Sequence, residues 1–182
     1  MLLKRLRLPF SWASPEIDET PETNETPTEM VLRLACCKAE AIREKWPKAL
    51  IIGSDQVAVC EGVPFSKPET RERAIEQLRH LSGLRVDFLT GIALLNTETG
   101  RLQLDCVPYS VHFRDLSRAQ IEGYIDQEQP LNCAGSFKSE GLGIALFKKM
   151  EGEDPTALIG LPLIRLVEML VKEGVDVLCP SP

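Results

Sequence analysis

The chain has 182 residues, a formal charge of −6, 43% hydrophobic and 26% charged residues. That length suits a single domain with a sizeable core, expected to run over residues 1–182. The acidic balance argues against nucleic acid as the main partner, and no apolar run approaches the roughly 20 residues that cross a bilayer.

The opening MLLKRLRLPF lacks the long apolar stretch and small-residue cleavage site of a signal peptide, so the expected location is cytoplasmic. It reads as the later part of an amphipathic helix, with Leu2, Leu3 and Leu6 on one side. An α/β domain usually sets a strand and a phosphate-binding turn ahead of such a helix. A Pro/Thr/Glu-rich connection follows and closes on Thr26-Pro27-Thr28-Glu29, a capping box with proline at the first helical position. The helix it opens is expected to run to about Lys45. Its apolar stripe holds Val31, Leu34, Ala35 and Ile42, and Lys38 falls in the middle of that stripe.

Residues 50–59, LIIGSDQVAV, have strand composition but break at Asp55, where an unpaired, desolvated carboxylate costs several kcal/mol. Lys67-Pro68 then leads into a helix carrying Ala74, Ile75, Leu78 and Leu81, stopped by Gly83. Residues 85–95 and 101–113 alternate as strands joined through NTETG. Ser117 to Gln120 form a second capping box, opening a helix that ends near Pro130. A glycine-rich polar loop, NCAGSFKSEGLGIALF, feeds a further strand, and GLPLIRLVEMLVKEG is a final amphipathic helix. This alternation, with one antiparallel hairpin, predicts an α/β fold: a mixed β-sheet flanked by helices, with a ligand cleft.

The six cysteines, Cys36, Cys37, Cys60, Cys106, Cys133 and Cys179, form no CxxC, and only His80 and His112 could join them at a metal. Reduced thiols are expected. A catalytic Cys–His pair has no local signature.

Four features carry the chemistry. Asp55 interrupts a buried strand, Lys38 interrupts a buried helical stripe, and Lys67 sits in an SKP turn. Lys138 and Glu140 lie in a loop whose Gly135, Gly141 and Gly143 permit close backbone approach to a ligand. Singly, each has an ordinary reading. Lys38 snorkels to the surface, Asp55 binds turn amides, and the other charges are solvated. Jointly they describe an acid ringed by cations at strand ends, where open α/β sheets bind ligands.

SPEIDET, VLRLACCKA, IIGSDQV, SKP, FLTGIAL, VHFRDLS, NCAGSFKSEGLGIALF and IGLPL resemble, in order, the signature segments of the Maf-like nucleotide pyrophosphatases. SDQ and AGSFKSEG resemble the branch that acts on 7-methyl-GTP. The dTTP/UTP branch has Thr after the Asp and an AGAYGIQG-type loop. The resemblance implies a Maf/ITPase-like fold and hydrolysis of a nucleoside triphosphate between its α and β phosphates, removing modified nucleotides. It implies Asp55 as the catalytic acid or base, with Lys38, Lys67 and Lys138 on the phosphates. Gln56 and Glu140 would choose the base. A divalent cation (Mg²⁺, Mn²⁺ or Co²⁺) would be held by Asp55, Asp18 and Glu19.

The implied partner is a small-molecule nucleotide, with neither nucleic acid nor membrane, and a homodimer is one assembly the resemblance allows. Cations around Asp55 are expected to lower its pKa, favouring a ligand role over basicity. Glu140 offers one carboxylate to the N1–H and N2–H donors of a guanine edge, and N7-methylation adds a positive charge that favours it further. Family members also open with a short strand and an S-x-S-P-x-R-R turn that this sequence lacks. Without that turn a weakly active enzyme is expected, and the alternative is a nucleotide-binding regulatory protein with little catalysis.

Overall fold

The computed structural model describes residues 2–179. The capping box at Thr26 forms as its residues require: the Thr26 hydroxyl accepts from the Glu29 N–H at 3.3 Å, and the Glu29 carboxylate accepts from the Thr26 N–H at 2.8 Å. It opens α1 (Pro27–Glu40), which ends before the expected Lys45. Ile42 leaves the helical path to pack with Ala49 against Ala39, Ile51 and Leu95, and only a 3₁₀ turn, Arg43–Lys45, follows.

The strands are β1 (Leu50–Cys60), β2 (Val63–Phe65), β3 (Arg85–Asn96), β4 (Leu102–Phe113) and β5 (Phe147–Gly152). They form one sheet in the order β2-β1-β3-β4-β5, flanked by α1, α2 (Arg71–Leu81), α3 (Arg118–Glu128) and α4 (Leu163–Lys172). This is the α/β architecture expected, but the sheet is antiparallel rather than mixed in every pairing among the described residues, as the tight turns from β1 to β2 and from β3 to β4 require. The expected break at Asp55 does not occur. Asp55 stays in the ladder opposite Gly91, because alternation lets one side chain turn polar while the backbone pairing continues. The short β2 is an addition to the expected strands; it folds back through Gly62 and pairs only with Ala58–Cys60.

Side chains of β1 alternate between two faces. Gly53 and Asp55, with Gly91 opposite, share the face that α1 crosses. A Cβ on Gly53 would strike the Ala35 carbonyl and one on Gly91 the Val31 carbonyl, so both glycines let the α1 backbone lie directly on the sheet. On the other face Ile92 and Leu94 meet Leu163, Leu166, Met169 and Leu170 of α4. Leu2, Leu3 and Leu6 pack there too, but on a 3₁₀ turn (Leu2–Leu6) rather than the expected amphipathic helix. All six cysteines are free thiols, as expected.

Phe88, Phe113, Phe137 and Phe147 stack edge to face with centroids 4.8–5.9 Å apart. Such pairs each add about 0.5–1.5 kcal/mol beyond the area they bury. They anchor both ends of the glycine-rich loop, which winds through two 3₁₀ turns, Ala134–Ser136 and Leu142–Leu146, before β5. Gly135 and Ser136 are both left-handed, with φ of 70° and 60°. The buried Ser136 hydroxyl donates to Gln77 Oε1 at 2.5 Å and pins that turn to α2.

Candidate active site

Because β2 covers only the end of β1, no strand among the described residues pairs with its outer edge from Leu50 to Val57. Residues 54–56 there line a cavity of about 660 Å³, within the range of small-molecule sites. Lys67, Lys138, Glu140 and Glu128 line the same cavity.

Lys38 does not snorkel to solvent. With α1 pressed on the sheet, its ammonium donates to Asp55 Oδ1 at 2.6 Å and lies 2.8 Å from Glu19 Oε1. Asp55 accepts no main-chain amide among the described residues, so the turn-bound reading of this acid does not hold. Burial raises the Asp55 pKa above 3.8 although Lys38 and, less, Lys67 pull it down. This corrects the expected lowering: desolvation by the sheet and α1 outweighs the neighbouring cations. Burial also opposes the charge on Lys38, but its bonds to Asp55 and Glu19 leave its pKa raised. Glu19 is held low by its bond to Lys38. The cluster is two carboxyl groups gathered about one amine.

The other expected residues divide. Lys67 is exposed at the cavity, and its charge acts on both Asp55 and Glu19. Lys138 lines the cavity too, but its ammonium donates to the Glu128 carbonyl at 2.7 Å rather than to Asp55. The Gln56 amide nitrogen faces Thr90 Oγ1 at 2.9 Å and the carbonyls of Ala157 and Leu158 at 2.7 and 3.2 Å. Those acceptors fix the amide orientation and leave Gln56 Oε1 with no donor among the described residues. Glu140 is exposed and borders both this cavity and a smaller one of about 370 Å³ that Arg5 also lines. Asp18 is exposed and caps its own turn, accepting from Thr20 N–H at 2.9 Å.

As cation ligands, Asp55 and Glu19 are the pair the fold brings together, around Lys38 Nζ. No three His, Cys, Asp or Glu side chains converge as a ligand set among the described residues. Two hard carboxylates fit Mg²⁺-type ions, which take one or two protein carboxylates and fill the remaining positions with phosphate oxygens and water. The donor chemistry therefore fits a cation that arrives with a polyphosphate.

Three supports have no counterpart among the residues that the sequence singles out. Arg33 binds the connection before α1, donating to Glu25 Oε1 at 2.5 Å, Glu25 Oε2 at 2.7 Å and the Thr20 carbonyl at 3.2 Å, which holds Glu19 near Lys38. Tyr124 accepts the Lys138 N–H at 3.0 Å, and the Glu128 carboxylate accepts the Leu142 N–H at 3.0 Å. Only Glu128 carries a signal in the sequence: a carboxylate in the last turn of a helix opposes the helix dipole.

A family profile described as Maf-like protein matches residues 1–173. A Pseudomonas aeruginosa protein named 7-methyl-GTP pyrophosphatase is 57% identical over 97% of this chain and 92% of its own length. Proteins of the same name from Pseudomonas putida and Alcanivorax borkumensis are 61% and 58% identical, over 97% and 96% of this chain and 92% and 89% of theirs.

Proposed function

Since the chain belongs to the Maf-like protein family, we propose that it hydrolyses 7-methyl-GTP between the α and β phosphates, releasing 7-methyl-GMP and diphosphate. The carrying observation is the Lys38–Asp55 contact of 2.6 Å at the edge of an open cavity, which pairs a largely buried acid with an ammonium while burial raises its pKa. The ammonium favours the charged form of Asp55. Burial raises its affinity for a proton, the direction that a general base needs.

In this reading a water held by Asp55 attacks the α phosphorus. Its proton passes to the Asp55 carboxylate as the bond from phosphorus to the bridging oxygen breaks, and the electron pair leaves on diphosphate. Lys67 and Lys138 take the polyphosphate, with Lys138 exchanging the Glu128 carbonyl for a phosphate oxygen. Positioning and charge neutralisation dominate such transfers. Asp55 and Glu19 would hold a divalent cation, which supplies further neutralisation of the phosphate charge when bound. At the base end Gln56 Oε1 and the Glu140 carboxylate are acceptors suited to guanine N–H donors, and the negative charge favours the N7-methylated, cationic base. The alternative of a nucleotide-binding regulator has no comparable support: relatives at 57–61% identity carry an enzyme's name.

The test is hydrolysis in heavy-oxygen water with 7-methyl-GTP, GTP, UTP and dTTP, followed by mass spectrometry. The label is expected in the nucleoside monophosphate, with 7-methyl-GTP turned over fastest. Label in diphosphate, release of single phosphate, or faster pyrimidine turnover overturns the proposal.

A further inference from the structure

Resting on that reading, we infer that Glu128 is the positioning residue of the base-selecting loop, bracing the 138–142 segment that carries Lys138 and Glu140. Glu128 is the last residue of α3, whose final turn contains no basic residue. There its negative charge works against the helix dipole, so local helix energetics do not explain it.

What it does is tertiary. Its Oε2 accepts the Leu142 N–H at 3.0 Å, its carbonyl accepts the Lys138 ammonium at 2.7 Å, and its Oε1 lies 3.5 Å from that ammonium. The carboxylate also fills the space beside Gly141: a Cβ there would lie 2.7 Å from Oε2 and 2.9 Å from Oε1. One side chain thus touches both ends of the KSEGL segment, and Glu140 lies between them. Tyr124, one turn earlier on α3, takes the Lys138 N–H, so the last turn of this helix is the platform for the loop.

Asp55 is reached from α1 and β1 and owes nothing to this platform. Loosening the loop should weaken substrate binding and base choice more than the chemical step, because it unseats Lys138 and Glu140 but leaves the Lys38–Asp55 pair in place. For Glu128→Ala we expect KM for 7-methyl-GTP to rise about tenfold with a smaller fall in kcat, and the preference over GTP to shrink about tenfold. Glu128→Gln keeps an acceptor for Leu142 and should restore most of the preference. Gly141→Ala pushes the same carboxylate aside from the other partner. It should mimic Glu128→Ala, and the double variant should lose no more than either single one.

The activity-independent arm is hydrogen exchange of the Leu142 amide in ligand-free protein. Exchange should quicken at least about tenfold in Glu128→Ala and in Gly141→Ala and stay slow in Glu128→Gln. Unchanged Leu142 exchange overturns the inference, as does a Glu128→Ala enzyme with unaltered KM and preference, or additive losses in the double variant. A wild-type protein that does not hydrolyse 7-methyl-GTP refutes the proposed function instead, and the exchange arm then still decides on Glu128.

Discussion

Replacing Asp55 by asparagine separates catalysis from stability. The Asp55 side chain is 14% exposed and the Lys38 side chain 23%, so the pair is largely out of water. Breaking a buried pair by removing one partner typically costs about 3–5 kcal/mol, because a charge is left uncompensated. Here the loss is cushioned: Lys38 keeps Glu19 at 2.8 Å, and the asparagine side chain of the variant still offers a carbonyl oxygen to the ammonium. Burial also raises the Asp55 pKa, so the ionised carboxylate is itself a strained passenger in the fold. We therefore expect a stability change within about 1 kcal/mol, the ordinary scale of a single substitution. Turnover should fall about 10²–10⁴-fold, the range for loss of a general base, equivalent to roughly 2.7–5.5 kcal/mol of barrier. The assay is diphosphate release from 7-methyl-GTP across pH, beside thermal melts. In the wild type kcat/KM should climb with pH as Asp55 sheds its proton, with a midpoint above the ordinary 3.8. In Asp55→Asn that limb should vanish. An Asp55→Asn enzyme within about threefold of wild type, or with the same acid limb, would refute the assignment.

Other consequences concern the same framework. Lys38→Met removes the cation that pulls the Asp55 pKa down, so the acid limb should move to higher pH as activity falls, read from the pH–rate profile. Gly91→Ala drives a Cβ into the α1 backbone at Val31 and should cost about 1–3 kcal/mol, seen by urea unfolding, while drawing Lys38 off Asp55 and lowering turnover. Glu25, bound by Arg33, and Glu151, bound by Lys149 and His112, are each lowered from 4.5 to about 2. A lowered acid stabilises the fold above its unfolded value, so this contribution should be whole above pH 4.5 and fade as pH falls towards 2. Glu25→Gln/Glu151→Gln should flatten the acid side of a stability–pH curve, and an unchanged curve would contradict the two contacts.

Local chemistry makes much of the fold legible. The capping boxes at Thr26 and Ser117 form with both reciprocal bonds, because a cap needs only residues within one turn. Alternation, though imperfect, places β3 and β4 to within a residue of their ends. Less local features mislead. Asp55 reads as a break because its partner, Lys38, is 17 positions away on another element. The direction of its pKa shift is hidden for the same reason: counting cations is a reading of sequence, whereas desolvation depends on what covers the group. Lys138 belongs with the other amines by motif, yet its ammonium rests on Glu128, a residue that no motif marks.

The order of side chains along the chain by itself determined the four α-helices and four of the five strands, and which few charges sit where apolar residues belong. Family resemblance in those same residues fixed the class of chemistry. Only tertiary structure decided which charges meet. Gly53 and Gly91 have no side chain to hold α1 away, so Lys38 reaches Asp55 and leaves the carboxylate both paired and dehydrated. Distance and solvent exclusion set the strength of an electrostatic contact, and both arise when elements remote in sequence press together.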